Sequence, residues 1–269
     1  MIRVFPSLIA AFLAVSSAFA ADSPAVRLHA AGSLRSAMTD IAKAYSATYG
    51  MPVNAVFGGS GALGDRLANG EAGDVFASAD MGNPQALTQA GKAGPTVLFA
   101  RNHLCAIVRP GFDVTPATIL TKMLDPSVKM ATSTPKNDPG GDYAWAMFQK
   151  ADAERPGSRA TLEAKALKIG NVPGSLSVPP NTTNAIAWLF REKRADIFLS
   201  YCTNAGAPAA ELPGVTTVHL PPALAVTAGY GLTVLKGANK DAAQFALFIL
   251  SPAGQKILQE HGFDAPLLP

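Results

Sequence analysis

The chain has 269 residues, 48% of them hydrophobic and 15% charged, with a formal net charge of +3 at neutral pH. That length and apolar content support a large buried core, in one long domain or two lobes, and no low-complexity run interrupts them. So small an excess of charge argues against nucleic acid as a partner, which calls for a concentrated basic patch, whereas a small anion needs only local donors.

The first twenty residues, MIRVFPSLIAAFLAVSSAFA, combine Arg3, an apolar stretch from Leu8 to Val15 and a small-x-small ending at Ala18-Phe19-Ala20. This is the pattern of a Sec-type signal peptide (residues 1–20) cleaved after Ala20 or Ala21, and losing Arg3 takes the formal charge from +3 to +2. The stretch is too short to span a bilayer, and no other run of about twenty apolar residues follows. An exported, soluble protein is expected. Cys105 and Cys202 would sit in an oxidising compartment, where one disulfide or two unpaired buried thiols are both open, since spacing alone does not bring two sulfurs together. No C-x-x-C metal or redox motif is present.

From Val26 strand-like and helix-like segments alternate. VRLHAA reads as a strand ending at Gly32-Ser33, and the helix after it carries Leu34, Met38, Ile41 and Tyr45 on one face with Gly50 as its stop. PVNAVFG is a second strand; a Gly-Ser loop leads into the helix ALGDRLANG, closed by Gly70. DVFASA and NPQALTQAGK are a third strand and helix. HLCAIVRPG is a strand ended by Pro110-Gly111 and marks a crossing into a second lobe. TPATILTKMLD reads as a helix, VKMATST as a strand, and DPGGDYAWAMFQKA restarts the strand–loop–helix unit. NTTNAIAWLFREKR is an amphipathic helix with a Thr/Asn-rich start, and ADIFLSY a buried strand. After a Pro/Ala/Gly-rich connection from Asn204 come TVHLPP, GYGLTVLKG and one closing helix, KDAAQFALFILSPAGQKILQEHG. The repeated β-loop-α order predicts an α/β protein with mostly parallel sheets covered by helices.

Helices repeatedly begin with small residues: Gly32-Ser33, Gly59-Ser60, Gly140-Gly141 and Thr182-Thr183. Each such start presents unpaired N–H groups and a partial positive charge, so several converging on one cleft would bind an anion without lysine or arginine. Singly, each serine or threonine reads as an ordinary N-cap.

The bare loop VFGGSGALGDRL admits three readings. A nucleophile elbow needs G-x-S-x-G, and Gly58-Gly59-Ser60-Gly61-Ala62 lacks the last glycine, while none of His29, His103, His219 and His261 stands out as a catalytic base. A phosphate cradle needs G-x-x-x-x-G-K-[ST], and Asp65-Arg66 follows Gly64 instead; a dinucleotide motif is not matched either. The remaining reading is an anion seat of hydroxyls and amides, which holds a dehydrated dianion without a buried cation. Such a lining lacks the acceptor that a proton-bearing anion requires, so it favours unprotonated tetrahedral oxyanions over hydrogen phosphate.

The motifs resemble the periplasmic molybdate-binding proteins of ABC importers. AAGSLRSAMTDIAKAY is similar to that family's opening, FGGSGALGDRLANGEAGDVFASAD to its most specific segment, LSYCTNA to its hinge strand, and GYGLTVLKGANKDAAQFALFILSPAGQKILQEHGF to its C-terminal part. The resemblance implies a type II, two-lobed α/β binding protein with a ligand cleft between lobes. Lobe 1 would take residues 22–102 plus 205–269 and lobe 2 residues 103–204. It implies no enzyme, no cofactor and no free metal cation, but a monomer that passes molybdate, or tungstate, to an inner-membrane permease. Carried over by motif, Ser33 and Ser60 donate through side chain and backbone, Gly140 and Thr182 through backbone amides (Thr183 if the register slips), and Tyr201 through its phenol. It also places HLCAIV and LSYCTN side by side as crossing strands, so that a Cys105–Cys202 bridge would restrain the hinge.

Three departures fall in the second lobe: Pro139-Gly140-Gly141 where the family has P-A-G, the segment between Lys150 and Pro180, and Asn204 in place of a hinge carboxylate. They keep open another anion, or a small organic carboxylate held by Arg66, Arg101 or Arg159. A serine hydrolase using Ser60 is the remaining alternative.

Overall fold

The computed structural model describes residues 25–266, so the expected signal peptide, residues 1–20, lies outside the described residues. In chain order the elements are β1 (Val26–Ala31), α1 (Arg35–Tyr49), β2 (Val53–Gly58), α2 (Ser60–Ala68), β3 (Val75–Ser78), α3 (Gly82–Gln89), β4 (Val97–Val108), α4 (Ile119–Leu124), β5 (Met130–Ser133), α5 (Pro139–Glu154), α6 (Ser158–Lys165), β6 (Leu167–Ile169), α7 (Ala185–Arg191), β7 (Ile197–Tyr201), α8 (Gly206–Glu211), β8 (Thr216–His219), β9 (Thr227–Val234), α9 (Ala242–Leu250) and α10 (Pro252–Glu260).

The strands join in the order β2-β1-β3-β9-β4-β7-β5-β6, with β8 also on β4. Strand β4 is common to both halves. Its first part, from Val97 to His103, pairs with β9; Leu104 to Val108 pairs with β7, and Cys105 to Val108 also with β8. Pairing is parallel for β1 with β2 and β3 and for β5 with β6 and β7. Every antiparallel pairing between these strands involves β4 or β9. Parallel order thus belongs to the β-loop-α units, whose helices carry the chain back across the sheet, and antiparallel order to the strands that link the halves.

Helices cover each half. On the first, Leu34, Met38, Ile41 and Tyr45 pack with Phe245 and Ile249 of α9, and Tyr45 meets the Phe245 ring edge-on at 5.0 Å. On the opposite face Leu63 and Leu67 of α2 and Leu87 of α3 sit on Phe76. The second half has Met147 and Phe148 of α5 and Leu162 of α6 on one face and Ile186, Leu189 and Phe190 of α7 on the other. Each such large side chain, fully buried, contributes roughly 1.5–3 kcal/mol.

Cys105 and Cys202 form a disulfide with Cα atoms 4.9 Å apart. It ties β4, just past the point where it changes partners, to the residue after β7.

Several elements differ from the sequence expectations. The closing helix is two helices, because Pro252 cannot donate and pushes Ser251 to extended backbone (φ −70°, ψ 162°); Ser251 then caps α10 by accepting from the Gly254 amide. Helix α7 starts at Ala185, capped by Asn184, rather than at Thr182-Thr183. Strand β4 begins at Val97, six residues before HLCAIV. Residues 205–226, which the sequence reading gave to lobe 1, run with the second half: β8 pairs with the later part of β4, Leu212 and Val215 pack with α7's core, and Leu224 and Val226 with that of α5.

Candidate functional site

Five strand ends meet where the halves join. A cavity of about 110 Å³ is bordered there by Ala31 at the end of β1, Gly58 of β2, Ala79 just past β3, Ser133 of β5 and Tyr201 of β7. These are the carboxyl ends of parallel strands, the place where open α/β sheets leave a crevice and helices begin.

Ser60 is the first residue of α2 and fully buried. Its Oγ accepts the Ala79 amide at 3.0 Å, which leaves its hydrogen free for a ligand. Ser33 lies in the 3₁₀ turn before α1, with Oγ 2.9 Å from the Tyr230 hydroxyl. The Asn102 side-chain Nδ2 donates to that phenol oxygen at 3.3 Å. With the phenol in turn donating to Ser33, the serine hydrogen is also left for the cavity. Tyr201 is 3% exposed, and its hydroxyl has no hydrogen-bond partner among the described residues. Burial pushes the phenols of Tyr201 and Tyr230 well above their ordinary range, so both stay neutral donors.

The two second-half amides are placed differently. The Gly140 amide donates to Asp138 Oδ1 at 2.8 Å, capping α5. Gly140 is not itself part of the lining but adjoins it, since a β-carbon there would lie 3.5 Å from Ser133 Oγ and 3.7 Å from Tyr201 Cε2. The Thr182 amide donates to the Pro179 carbonyl at 3.0 Å and does not line the cavity, because the helix it was expected to open begins later; Thr183 lines a neighbouring cleft. The structure therefore brings Ser33, Ser60 and Tyr201 together, sets Gly140 beside them with its amide engaged, and leaves Thr182 outside.

Four polar residues not anticipated for this purpose also line the cavity: Ser133, Asp138, Ser200 and Asn204. Asp138 was detectable in principle, because Asp before Pro is a helix-start signature. Burial pushes its carboxyl up, and Asp142 and Asp80 add to the rise while the Gly140 amide opposes it.

The glycines of the Gly-Ser loop have a steric purpose. A β-carbon on Gly59 would fall 2.6 Å from the Asn137 carbonyl oxygen, and one on Gly61 would fall 2.1 Å from that of Lys136. The Ala62 amide donates to Asn137 O at 3.3 Å across the same seam. Helix α2 of the first half thus lies against the 136–138 loop of the second, at a distance only glycine permits.

A wider cleft of about 590 Å³ adjoins the cavity and shares Ser33, Ser133, Ser200 and Asn204 with it. Arg35 is on its wall, 4.6 Å from the Phe57 ring centre. Neither space is lined by Arg66, Arg101 or Arg159; Arg66 pairs with Glu71 and Arg159 with Glu163. Of the histidines, His29 pairs with Glu71, His103 with Asp264 and His219 with Cys105 away from both spaces, while His261 stands on the wall of the wider cleft with its ring held by Asp40. The Ser–His pair of a hydrolase is not formed at Ser60.

Residues 26–264 match the family of bacterial extracellular solute-binding proteins. This chain belongs to that family. Among relatives of this solute-binding protein, one from Pasteurella multocida (strain Pm70), uncharacterized protein PM1146, is 31% identical over 239 residues, covering 88% of this chain and 98% of the relative. The molybdate-binding protein ModA of Mycobacterium tuberculosis is 29% identical, covering 96% and 95% of the two chains. The solved periplasmic molybdate-binding protein of Azotobacter vinelandii superposes with a TM-score of 0.72 at 19% identity, over 90% of this chain and all of that one. That likeness shows the two-lobed α/β fold.

Proposed function

We propose that this protein is exported to the periplasm through residues 1–20 and captures a tetrahedral oxyanion, molybdate first and tungstate next, for delivery to an inner-membrane permease. The Tyr201 hydroxyl carries this reading: a neutral donor, buried and unpartnered, beside a cavity where Ser33 and Ser60 also have hydrogens to give. Leaving such a group dry is costly unless a ligand completes it. Molybdate leads because the ModA relative, matched over nearly its whole length, is named for that ligand. In this reading the lobes are residues 26–103 with 227–266, and residues 104–226, with crossings where β4 changes partners and where β9 begins. The glycine seam is the closed state, and the ligand's contacts with both halves favour it.

A second reading, an anion with a small organic part, is favoured by Arg35 on the wall of the adjoining cleft. A thermal-shift panel with molybdate, tungstate, sulfate, phosphate and small carboxylates separates the two. A ligand at one hundred times its Kd adds about 2.7 kcal/mol to stability. Stabilisation by inorganic oxyanions supports the first reading; stabilisation by carboxylates alone replaces it with the second.

A further inference from the structure

We propose that the cavity binds its oxyanion together with one proton, shared between the ligand and Asp138, so that Asp138 sets which protonation state is held. This rests on the oxyanion reading above and adds to it the proton stoichiometry and the choice among oxyanions.

Asp138 is the charged side chain among the residues lining the 110 Å³ cavity, and its charge has the ligand's own sign. A carboxylate beside a dianion, with no lysine or arginine in the lining, is repelled in a medium that screens poorly. One proton between the two oxygens turns that repulsion into a charge-assisted hydrogen bond. The carboxyl group is suited to the task. Its Oδ1 takes the Gly140 amide at 2.8 Å, which fixes the side chain and leaves Oδ2 for a ligand. The point where a Gly140 β-carbon would stand is 3.2 Å from Asp138 Oδ1, 3.5 Å from Ser133 Oγ and 3.7 Å from the Tyr201 ring edge, so carboxylate, hydroxyl and phenol ring crowd one spot.

Acidic or uncharged side chains face Asp138, and the Gly140 amide is the group that opposes proton uptake. On its own helix stand Asp142, whose Oδ1 accepts the Lys136 amide, and Tyr143. From the segment after β3 comes Asp80, held by Asn83 at the start of α3. From β7 and β9 come the neutral phenols of Tyr201 and Tyr230, and from α2 the uncharged Ser60. The nearby acids and burial both raise the Asp138 carboxyl. Lys136, the basic residue of the adjoining loop, acts on Asp142.

Two kinds of ligand are thereby distinguished. An anion that carries a proton at neutral pH, such as hydrogen phosphate, brings it to Asp138. A fully ionised one, such as molybdate or sulfate, binds only as a proton is taken from solvent. The expectation from sequence, that a donor-only lining rejects proton-bearing anions, is reversed by this one acceptor.

The test is calorimetric titration of the mature chain with molybdate, sulfate and phosphate between about pH 5.5 and 8.5, for the wild type and Asp138→Asn. Asparagine keeps an oxygen for the Gly140 amide and removes the charge. Wild-type affinity for molybdate and sulfate is expected to fall about tenfold per pH unit on the alkaline side, as one bound proton requires. Two buffers of different ionisation enthalpy should report uptake of about one proton, a reading that needs no variant. Asp138→Asn should show a flat profile, bind sulfate and molybdate at least about tenfold tighter at pH 8, and lose about tenfold in phosphate. A flat wild-type profile without proton uptake overturns the proposal and leaves the oxyanion reading intact. Absence of oxyanion binding by either protein at every pH overturns both.

Discussion

Ala79 gives its backbone hydrogen to Ser60 Oγ across 3.0 Å, so one buried hydroxyl holds the end of β3 and keeps its own hydrogen for the cavity. Ser60→Ala removes both functions. Oxyanion affinity is expected to fall about tenfold or more, equivalent to about 1.4 kcal/mol. Stability without ligand should fall by about 1–3 kcal/mol, because the Ala79 amide is left unpaired. Ligand titration and urea denaturation read the two effects separately; unchanged affinity removes Ser60 from the seat.

Tyr201→Phe should part affinity from stability. The hydroxyl has no partner among the described residues, so its loss leaves the ligand-free stability unchanged or raises it by about 1 kcal/mol. Binding should weaken by about tenfold or more, since the donor would reach a buried charge. A variant that loses stability while binding normally would show the phenol to be structural.

Gly61→Ala tests the seam. Its β-carbon would meet the Lys136 carbonyl oxygen at 2.1 Å, while alanine is intrinsically favoured over glycine in a helix by about 1 kcal/mol. Affinity should drop at least about tenfold, and small-angle scattering with saturating ligand should show a more open particle than the wild type. Wild-type affinity and the same scattering profile would mean that the seam does not govern capture.

Removing the disulfide with Cys105→Ala and Cys202→Ala should lower stability by about 2–4 kcal/mol, given the long loop it closes. A thiol assay on the unfolded, unreduced wild type should find neither cysteine free, in keeping with the bond between them. Two free thiols would contradict the bridge.

The acid limb of the stability curve should carry the imprint of Glu71. Arg66 first, and His29 second, hold its carboxyl down from 4.5 to about 2. A folded-state value below the unfolded one adds stability that is complete above about pH 4.5 and is lost as pH falls through about 2. Glu71→Gln should therefore flatten the fall in denaturation free energy across that window. Identical slopes would show that the pairing has no net effect on folding.

The fold was legible in the sequence where residues obey a period. Leu34, Met38, Ile41 and Tyr45 are spaced for one helical face, and all four are buried. The strand ends and the hydroxyls of Ser33 and Ser60 followed, because parallel β-loop-α units aim their turns at one edge. The second half was less legible. Thr182 lost its place because Asn184, two residues on, captures the amides of Ile186 and Ala187, a competition between neighbouring caps that no periodicity resolves. Gly140 was expected to offer its amide, but Asp138 takes it. The purpose of Gly59 and Gly61 was hidden because the backbone they accommodate lies some seventy-five residues away in sequence. The break at Ser251-Pro252 was readable from the proline alone; the apolar pattern on either side masked it.

Strand β4 runs uncut through both halves, with β9 along its first part and β7 and β8 along its second. Neither half is therefore a module that can be severed and inherited alone, since a cut there bares the hydrogen-bonding edge of both pieces. A change of ligand on such a frame is expected to come from side chains in the turns around the hollow, and not from exchange of one half for another.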